Sequence, residues 1–149
     1  MRIALGADHA GVALKARLKQ ALAERHLTYE DFGPTSDVTV DYPDYALRVA
    51  REVASRAFDR GILICGSGVG MAMVANKVPG VRAAAVTNVK TARLSREHND
   101  INVLALGARL LSVERALDVI DTFLATPFEG GRHQRRLDKI AAIDKQRDP

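Results

Sequence analysis

Short apolar runs alternate with amphipathic segments from one end of the chain to the other. The runs have the length of buried strands, whereas the segments between them carry apolar residues at helical spacing, as Leu14, Leu18 and Leu22 do. Parallel strands must be joined by crossover connections, and right-handed crossovers place helices on both faces of a sheet. The alternation therefore predicts an α/β fold with a doubly wound, five-stranded parallel sheet, a Rossmann-like αβα sandwich. The predicted strands are residues 2–7, 28–32, 61–65, 82–87 and 102–106, and the predicted helices are residues 11–25, 43–57, 69–77, 89–98, 113–125 and 132–145.

The length of the chain limits the number of domains. With 149 residues, no internal repeat and no linker, residues 1–149 are expected to form a single domain. No apolar run reaches the roughly 18 residues of a transmembrane helix, and Gly6 and Asp8 interrupt the N-terminal run before a signal sequence could form. The one cysteine excludes an internal disulfide, which suits a reducing compartment. We therefore expect a cytoplasmic protein with no membrane partner.

The formal net charge of +4 raises the question of a nucleic-acid partner. Much of the excess lies near the C-terminus, where Arg132, Arg135 and Arg136 follow one another closely. Aromatic residues make up only 5% of the chain and do not interleave with these basic residues, so the sequence offers no stacking platform for bases. We expect an anionic small molecule, and not nucleic acid, as the partner.

Cys65 ends the third predicted strand and leads into a turn that contains Gly66, Gly68 and Gly70. Glycines allow a tight turn in which several backbone N–H groups face one anion. The residue types alone leave two interpretations of the cysteine open, a reactive thiolate at the start of a helix and a buried hydrophobic side chain. A nucleotide site is less well supported, because Met71 occupies the third glycine position of the dinucleotide fingerprint.

Other chemically active side chains lie at the ends of predicted elements. Asp8 and His9 directly follow the first strand, where they suit either a helix cap or a catalytic pair. His98 ends a helix, where a histidine is commonly only a favourable partner of the helix dipole. Arg132 and Arg136 are four residues apart, a spacing that suits a phosphate clamp and equally a solvated basic face. The histidines and the cysteine show no metal-ligand spacing, so no metal is expected.

Six motifs occur in order between residue 3 and residue 136, which is nearly the whole chain. They are GADHAG at 6–11, DYP at 41–43, GILICGSGVG at 61–70, ANK at 75–77, SREHNDINV at 95–103 and FEGGRH at 128–133. Together they closely resemble the ribose-5-phosphate isomerase B family, also called the RpiB/LacA/LacB sugar-phosphate isomerases. This joint occurrence favours the functional interpretation of the cysteine, of His98 and of the arginine pair.

The resemblance implies an aldose–ketose isomerase of the pentose phosphate pathway that interconverts D-ribose 5-phosphate and D-ribulose 5-phosphate through an enediolate, without a cofactor. It implies that Cys65 is the base, that Ser67 and the N–H groups of the glycine turn hold the enediolate oxygen, and that His98 opens the sugar ring with help from Asp8. The implied contacts to the sugar and its phosphate are His9, Tyr42, Gly66, Gly68, Val69, Gly70, Asn99, Arg109, Arg132 and Arg136.

One position departs from the pattern of the family. Ser67 stands where many cysteine-type members carry Thr. Other members lack the cysteine and are thought to use a glutamate further along the helix, but residues 71–75 contain no carboxylate, so Cys65 has no rival as the base. The resemblance also implies a homodimer or a dimer of dimers with shared active sites, in which the C-terminal helix reaches the partner subunit.

Two alternatives to the pentose isomerase remain open at this point. The first is an isomerase of a six-carbon substrate, allose 6-phosphate or galactose 6-phosphate. Galactose-6-phosphate isomerases of the family combine two different subunits that each lack part of the site, whereas this chain holds the whole set. The second is a non-catalytic flavodoxin-like or receiver-like binding module, which would not require Cys65 and His98 together.

Overall fold

Within residues 1–146, the part of the chain that the computed structural model describes, five parallel strands form one sheet. The strands β1 to β5 are Arg2–Ala7, Thr28–Asp31, Arg60–Cys65, Ala83–Ala85 and Val103–Gly107. The helices α1 to α6 are Val12–Glu24, Tyr42–Ala54, Val69–Ala75, Val89–Asn99, Val113–Ala125 and Arg132–Asp144, and a short 3₁₀ turn, His9–Gly11, precedes α1. The strand order is β2-β1-β3-β5-β4, which confirms the predicted doubly wound α/β fold. None of the helices in residues 1–146 has the length and hydropathy of a membrane-spanning segment.

The clearest difference from the predicted elements is in β4, which is shorter than expected. It covers Ala83–Ala85 instead of residues 82–87, because it lies at the edge of the sheet and pairs with β5 alone. Arg82 N donates a hydrogen bond to Asn102 Oδ1 at 2.8 Å, so a side chain replaces one backbone acceptor at this end, while the carbonyl of Arg82 still accepts from Asn102 N at 3.0 Å.

The start of α2 places an aromatic side chain at the carboxyl edge of the sheet. α2 begins at Tyr42 with Pro43 in its first turn, where the missing N–H of proline costs no helical hydrogen bond. It ends earlier than predicted, because Arg56 adopts a left-handed conformation with φ 63°. Its buried face consists of Ala46, Val49, Ala50 and Val53.

Two apolar clusters form the core, one on each face of the sheet. Helices α1, α4 and α5 cover one face, and α2 and α3 cover the other. Successive residues of a strand point to opposite faces. Ile62 and Ile64 of β3 therefore join the first cluster, whereas Leu63 and Cys65 join the second. The thiol thus lies on the side of the sheet that α2 and α3 cover.

A buried ion pair fixes the loop between β2 and α2. Lys15 of α1 is only 2% exposed. Its Nζ donates to Asp31 Oδ1 and to the carbonyl of Pro34, both at 2.6 Å, and Lys19 Nζ donates to Asp31 Oδ2 at 2.8 Å. Because a buried ammonium must be paired, these contacts hold the beginning of the loop that leads to Tyr42.

The order of the strands changes direction next to β1. The chain passes from β1 outward to β2 and then returns to the other side of β1 to form β3, so the two crossovers leave a crevice between the carboxyl ends of β1 and β3. At that point Asp8 N donates to the carbonyl of Ile64 at 3.0 Å. The residues after β1 and after β3 are therefore neighbours, as the position of a ligand site in this class of fold requires.

Candidate active site

A cleft of about 520 Å³ opens at this crevice, above the carboxyl ends of β1, β3 and β5. We call it the cysteine cleft, and its lining residues are Asp8, Tyr42, Cys65, Gly66, Ser67, Val69, Gly70, Arg109 and Leu110. All of them except Leu110 are among the site residues predicted from the sequence. A larger groove of about 740 Å³ runs along the outer side of α2, but it is lined by solvated charged residues such as Asp44 and Arg48 and contains no cysteine, serine or histidine.

Cys65 is 5% exposed and receives a direct hydrogen bond from the glycine turn. Gly68 N lies 3.1 Å from Sγ, and Gly68 can direct its N–H inward because its φ is +80°. A thiolate accepts such a bond better than a neutral thiol does, since sulfur in the thiol is a weak acceptor. The following helix, Val69–Ala75, is only one to two turns long, so this single N–H, more than the helix dipole, is the donor that the structure offers to the sulfur.

Two glycines in the turn allow other groups to approach closely. A Cβ on Gly70 would lie 2.6 Å from Tyr42 Cζ, which means that the tyrosine ring lies directly against this glycine. A Cβ on Gly66 would lie 3.1 Å from the guanidinium of Arg109, and Arg109 N donates to the carbonyl of Gly66 at 3.1 Å. Tyr42 and Arg109 therefore form two walls of the cysteine cleft.

The exposed parts of the turn are Ser67 and Val69. Ser67 Oγ accepts a hydrogen bond from Val69 N at 3.3 Å, and both side chains are exposed. The hydroxyl keeps its own proton available as a donor toward the cleft. Serine at this position thus presents the same functional group that a threonine would, without the methyl group.

Asp8 is a cap, and it also lines the cleft. Its Oδ1 accepts hydrogen bonds from Ala10 N at 2.9 Å and from Gly11 N at 3.2 Å, and the residue is 7% exposed. The capping interpretation is confirmed, and the catalytic role of Asp8, which also lines the cleft, stays a prediction. The neighbouring His9 accepts a hydrogen bond from Val40 N through Nδ1 at 3.4 Å, which links it to the loop before α2.

The remaining predicted site residues form a second group, the His98 group, which consists of His98, Asn99, Arg132 and Arg136. α4 begins after the carboxyl end of β4 and runs back along the sheet, so its last residues, His98 and Asn99, lie just before β5 begins. The start of α6 is held against them, since Glu129 N donates to the carbonyl of Glu97 at 3.1 Å. Arg132 opens α6, and Arg136 follows one turn later, with both side chains exposed.

The cysteine cleft and the His98 group therefore lie at opposite ends of the sheet. β3 contains six residues, from Arg60 to Cys65, and at 3.3 Å per residue it spans roughly 17 Å. The predicted site residues do not form one cluster within a single chain but lie on two separate surfaces of it. This placement is consistent with the shared active sites that the family resemblance implies.

Three donor groups near α6 have a spacing that the sequence analysis did not identify. Ligand atoms of His98, Glu129 and His133 lie within 4.8 Å of one another. They do not suit a metal ion, because the two imidazole rings are stacked at 4.3 Å with planes 12° apart and so cannot point their nitrogens at one centre. In addition, Arg132 Nε lies 3.4 Å from His133 Nε2 and would repel a cation. The sequence feature that could have indicated part of this cluster is the spacing of four residues between Glu129 and His133.

Apolar side chains are exposed on two helices close to these sites. Val69 and Met73 of α3 are 53% and 63% exposed, and Ile140 and Ile143 of α6 are 45% and 51% exposed. The two isoleucines line a groove of about 380 Å³ that also contains Asn99. A run of exposed apolar side chains next to a predicted site residue is typical of an interaction surface.

Comparison with known proteins gives a consistent result across the chain. Residues 3–140 match the sequence model of the Ribose/Galactose Isomerase family. Ribose-5-phosphate isomerase B of Escherichia coli is 46% identical over 147 residues, a match that covers 99% of each chain. The structure of ribose-5-phosphate isomerase B from Clostridium thermocellum superposes with a TM-score of 0.96 at 50% identity and covers 98% of this chain and 99% of that one. The structure from Mycoplasma genitalium with bound ribulose-5-phosphate gives a TM-score of 0.94 at 45% identity and covers 97% of each chain.

Proposed function

The chain belongs to the ribose/galactose isomerase family, and from this premise we propose how its side chains carry out an aldose–ketose isomerisation. The reaction is the interconversion of D-ribose 5-phosphate and D-ribulose 5-phosphate, a step of the pentose phosphate pathway. In the open-chain aldose a base removes the proton on C2, an enediolate forms, and a proton returns to C1, so that the carbonyl moves from C1 to C2. The substrate is both oxidised at C2 and reduced at C1, and no external redox partner is needed.

Cys65 is the base in this proposal. The observation that carries it is the N–H of Gly68 pointing at Sγ from 3.1 Å in a cleft that also contains Ser67 and Asp8. A thiolate held in this way removes the C2 proton and returns it to C1. The N–H groups of residues 66–70 and the hydroxyl of Ser67 stabilise the negative charge that develops on the substrate oxygen.

The His98 group supplies the other two requirements, ring opening and phosphate binding. Ring opening moves a proton from the anomeric hydroxyl to the ring oxygen, which suits an imidazole with a carboxylate such as Asp8 nearby. Arg132 and Arg136 are one helical turn apart and, with His9 and Arg109, bind the phosphate, while Tyr42 and Asn99 contact the sugar.

A second copy of the chain brings the two halves together. In a two-fold dimer the His98 group of one subunit faces the cysteine cleft of the other, and the same contact occurs twice. The exposed apolar side chains Val69, Met73, Ile140 and Ile143 support this arrangement, because they flank the cleft on α3 and the His98 group on α6. The free, buried thiol fits a reducing compartment, and we place the enzyme in the cytoplasm.

Turnover by the purified protein tests the substrate. We expect kcat/KM for ribose 5-phosphate to exceed the values for allose 6-phosphate and galactose 6-phosphate by about tenfold or more, since one additional carbon must fit between the two walls of the cleft. Preference for a six-carbon substrate would support the hexose alternative. No turnover of any of the three compounds, with binding retained, would favour the non-catalytic module.

A further inference from the structure

The mechanism leaves one buried histidine without a role. His133 is 4% exposed and lies in the first turn of α6, between Arg132 and the loop that carries Glu129. Its ring stacks on that of His98, with the ring centres 4.3 Å apart and the planes 12° from parallel. Two imidazoles in this contact cannot rotate independently, so the orientation of His98 depends on His133.

The backbone before α6 is shaped to make this contact. Gly130 and Gly131 have φ values of +66° and +54°, a conformation that costs other residues roughly 1–2 kcal/mol each. His133 N donates to the carbonyl of Gly130 at 3.0 Å, and Glu129 N donates to the carbonyl of Glu97, next to His98. The chain therefore turns sharply and is attached to the end of α4 on both sides of the glycines.

Polar contacts hold the His133 ring from its other edge. Nε2 lies 3.4 Å from Arg132 Nε and 3.4 Å from Glu129 Oε2. The same nitrogen thus faces a guanidinium, which binds phosphate in the proposed mechanism, and a carboxylate. One imidazole contacts both a ring-opening side chain and a phosphate-binding side chain.

Burial and the surrounding positive charges both favour the neutral form of the His133 ring. Burial lowers the pKa of His133 below its usual value of 6.5, and His98, Arg132 and Arg136 lower it further, while Glu129 acts in the opposite direction. A neutral ring can remain stacked on His98 whether or not His98 carries a proton. A second imidazolium at this place would repel both His98 and Arg132.

We propose that His133 is a positioning residue that fixes the ring of His98 and the guanidinium of Arg132 relative to each other, so that ring opening and phosphate binding occur on one substrate molecule. This inference rests on the proposed function. His133 itself does not touch the reacting atoms. It acts through the stack on one side and through Nε2 on the other.

Two substitutions separate the two contacts. His133→Phe keeps an aromatic ring against His98 but removes Nε2, so we expect KM for ribose 5-phosphate to rise several-fold while kcat stays within about threefold of wild type. His133→Ala removes both contacts, so we expect the same rise in KM and a fall in kcat of about tenfold to a hundredfold, the range that loss of orientation produces. Gln134→Ala, at the exposed neighbouring position, is the matched control and should leave both constants unchanged.

Solvent exchange distinguishes positioning from a general loss of structure. Ribulose 5-phosphate is open-chain, and exchange of its C1 hydrogen with D₂O through the enediolate requires Cys65 but no ring opening. At saturating substrate, His133→Ala should therefore retain exchange, measured by NMR, within about threefold of wild type while net formation of ribose 5-phosphate falls. The ratio of exchange to conversion rises if the lesion lies after enediolate formation, in ring closure or release of the aldose, and stays constant if proton transfer by Cys65 is itself impaired.

Two outcomes would overturn the inference. The first is unchanged kcat and KM in His133→Ala. The second is an equal loss of exchange and conversion in a variant that still folds, as judged by circular dichroism. If His133→Ala does not fold, His133→Phe tests the inference instead: an unchanged KM, or a fall in kcat of more than about threefold, would overturn it. Failure of the wild-type protein to turn over ribose 5-phosphate would instead reject the proposed function, so the two failures are distinguishable.

Discussion

The proposed role of Cys65 as the base depends on a single atom, its sulfur, which accepts a hydrogen bond from Gly68 N–H. Replacing Cys65 with Ala removes the proposed base and only a small volume from the core. We expect kcat to fall by about 10²–10⁴-fold or more, with substrate affinity largely intact, since loss of a general base affects the transition state more than the ground state. Stopped-flow or coupled assays give kcat, and isothermal titration gives the affinity.

Chemical modification provides the complementary experiment on Cys65. Iodoacetamide should inactivate the wild-type enzyme, and ribose 5-phosphate should protect it, because the thiolate is the reactive form and lies in the substrate cleft. Activity close to wild type in Cys65→Ala would exclude the thiol as the base. Ser67→Thr serves as the control substitution in the same turn, and it should remain active because the hydroxyl is kept.

Gly70 is the second residue whose substitution has a well-defined expected effect. In Gly70→Ala the new Cβ would come within 2.6 Å of Tyr42 Cζ, so the ring must move. Tyr42 is 39% exposed and can rotate into solvent, which means that stability should change by less than about 1 kcal/mol while KM rises several-fold. Urea denaturation and steady-state kinetics measure the two effects.

A double-mutant cycle checks the cause of the Gly70 effect. Tyr42→Ala alone should raise KM to a similar extent, and Gly70→Ala combined with Tyr42→Ala should raise it no further, because the two residues act through one contact. Additive increases in KM would show that the glycine serves the turn itself and not the tyrosine.

The residues that could be assigned from the sequence are those whose neighbours in the chain are also their neighbours in space. Cys65 and its glycine turn form such a segment, and so do Asp8 and the N–H groups that it caps. The stack of His98 on His133 could not be assigned in this way, because it depends on how α6 packs against α4. The motif FEGGRH contained both Glu129 and His133, but only the fold shows what they contact.

At the scale of elements, the Lys15–Asp31 pair joins α1 to the end of β2 and to the loop before α2. Burial alone would raise the pKa of Asp31, but hydrogen bonds from Lys15, Lys19 and Gly33 N–H outweigh it and lower the pKa below its usual 3.8. A carboxyl group with a lowered pKa stabilises the fold above its unfolded-state pKa, and this contribution is lost as the pH falls through the folded-state pKa. The loss is therefore expected below about pH 4.

Asp31→Asn should reduce the free energy of unfolding at pH 7 by about 2–3 kcal/mol, because it leaves the buried ammonium of Lys15 without a charged partner. Urea denaturation at a series of pH values measures this. The difference between wild type and variant should narrow as the pH is lowered below about 4, where Asp31 of the wild type becomes protonated. Asp37→Asn, which changes an exposed carboxylate in the same loop, is the control; an equal effect there would contradict a specific role for the pair.

The order of helices and strands could be predicted because each amphipathic segment has a single buried face. The ends of the elements were less predictable where a side chain intervenes. Asn102 Oδ1 accepts a hydrogen bond from Arg82 N and so takes the place of a backbone acceptor at the start of β4. Asp8 adds a 3₁₀ turn, His9–Gly11, in front of α1 by accepting two backbone hydrogen bonds. Neither effect alters the periodicity from which the elements were predicted.

For the whole molecule, the separation of the cysteine cleft from the His98 group predicts that two inactive variants can complement each other in a mixed dimer. Cys65→Ala lacks the proposed base, and Arg132→Ala/Arg136→Ala lacks the proposed phosphate clamp, so each variant should be inactive alone. In a mixed dimer one site has both lesions and the other has none. Random pairing gives half of the dimers as mixed, each with one working site of two, and about 25% of wild-type activity should return under two-fold symmetry.

Differently tagged subunits, coexpressed and purified as the mixed species, allow the recovered activity to be measured directly. Combining Cys65→Ala with His98→Asn should behave in the same way, because His98 lies at the same end of the sheet as the arginines. Mixing Arg132→Ala/Arg136→Ala with His98→Asn is the negative control, because every shared site then lacks one of the two functions. Absence of recovery in the first mixture would reject the shared site.

The separation of the cysteine cleft from the His98 group follows from the order of the elements, whereas the motifs indicate it only through the shared sites that the family resemblance implies. A helix that follows a parallel strand must run back along the sheet, so the last residues of α4 necessarily lie at the end opposite to Cys65. Motif matching treats all site residues as one set and ignores this direction. A motif does not show which copy of the chain completes the site, because the proposed contact surface combines α3 and α6, two helices far apart in sequence.

Because the cysteine cleft and the His98 group lie at opposite ends of one sheet, ligand binding and subunit assembly are coupled in the proposed dimer. A sugar phosphate bound in the proposed site touches two polypeptides at once, so its binding energy also joins them. By mass action, anything that binds only the assembled form favours assembly. In the proposed dimer the substrate would therefore link the subunits as well as react, and a rise in its concentration would favour the assembled enzyme.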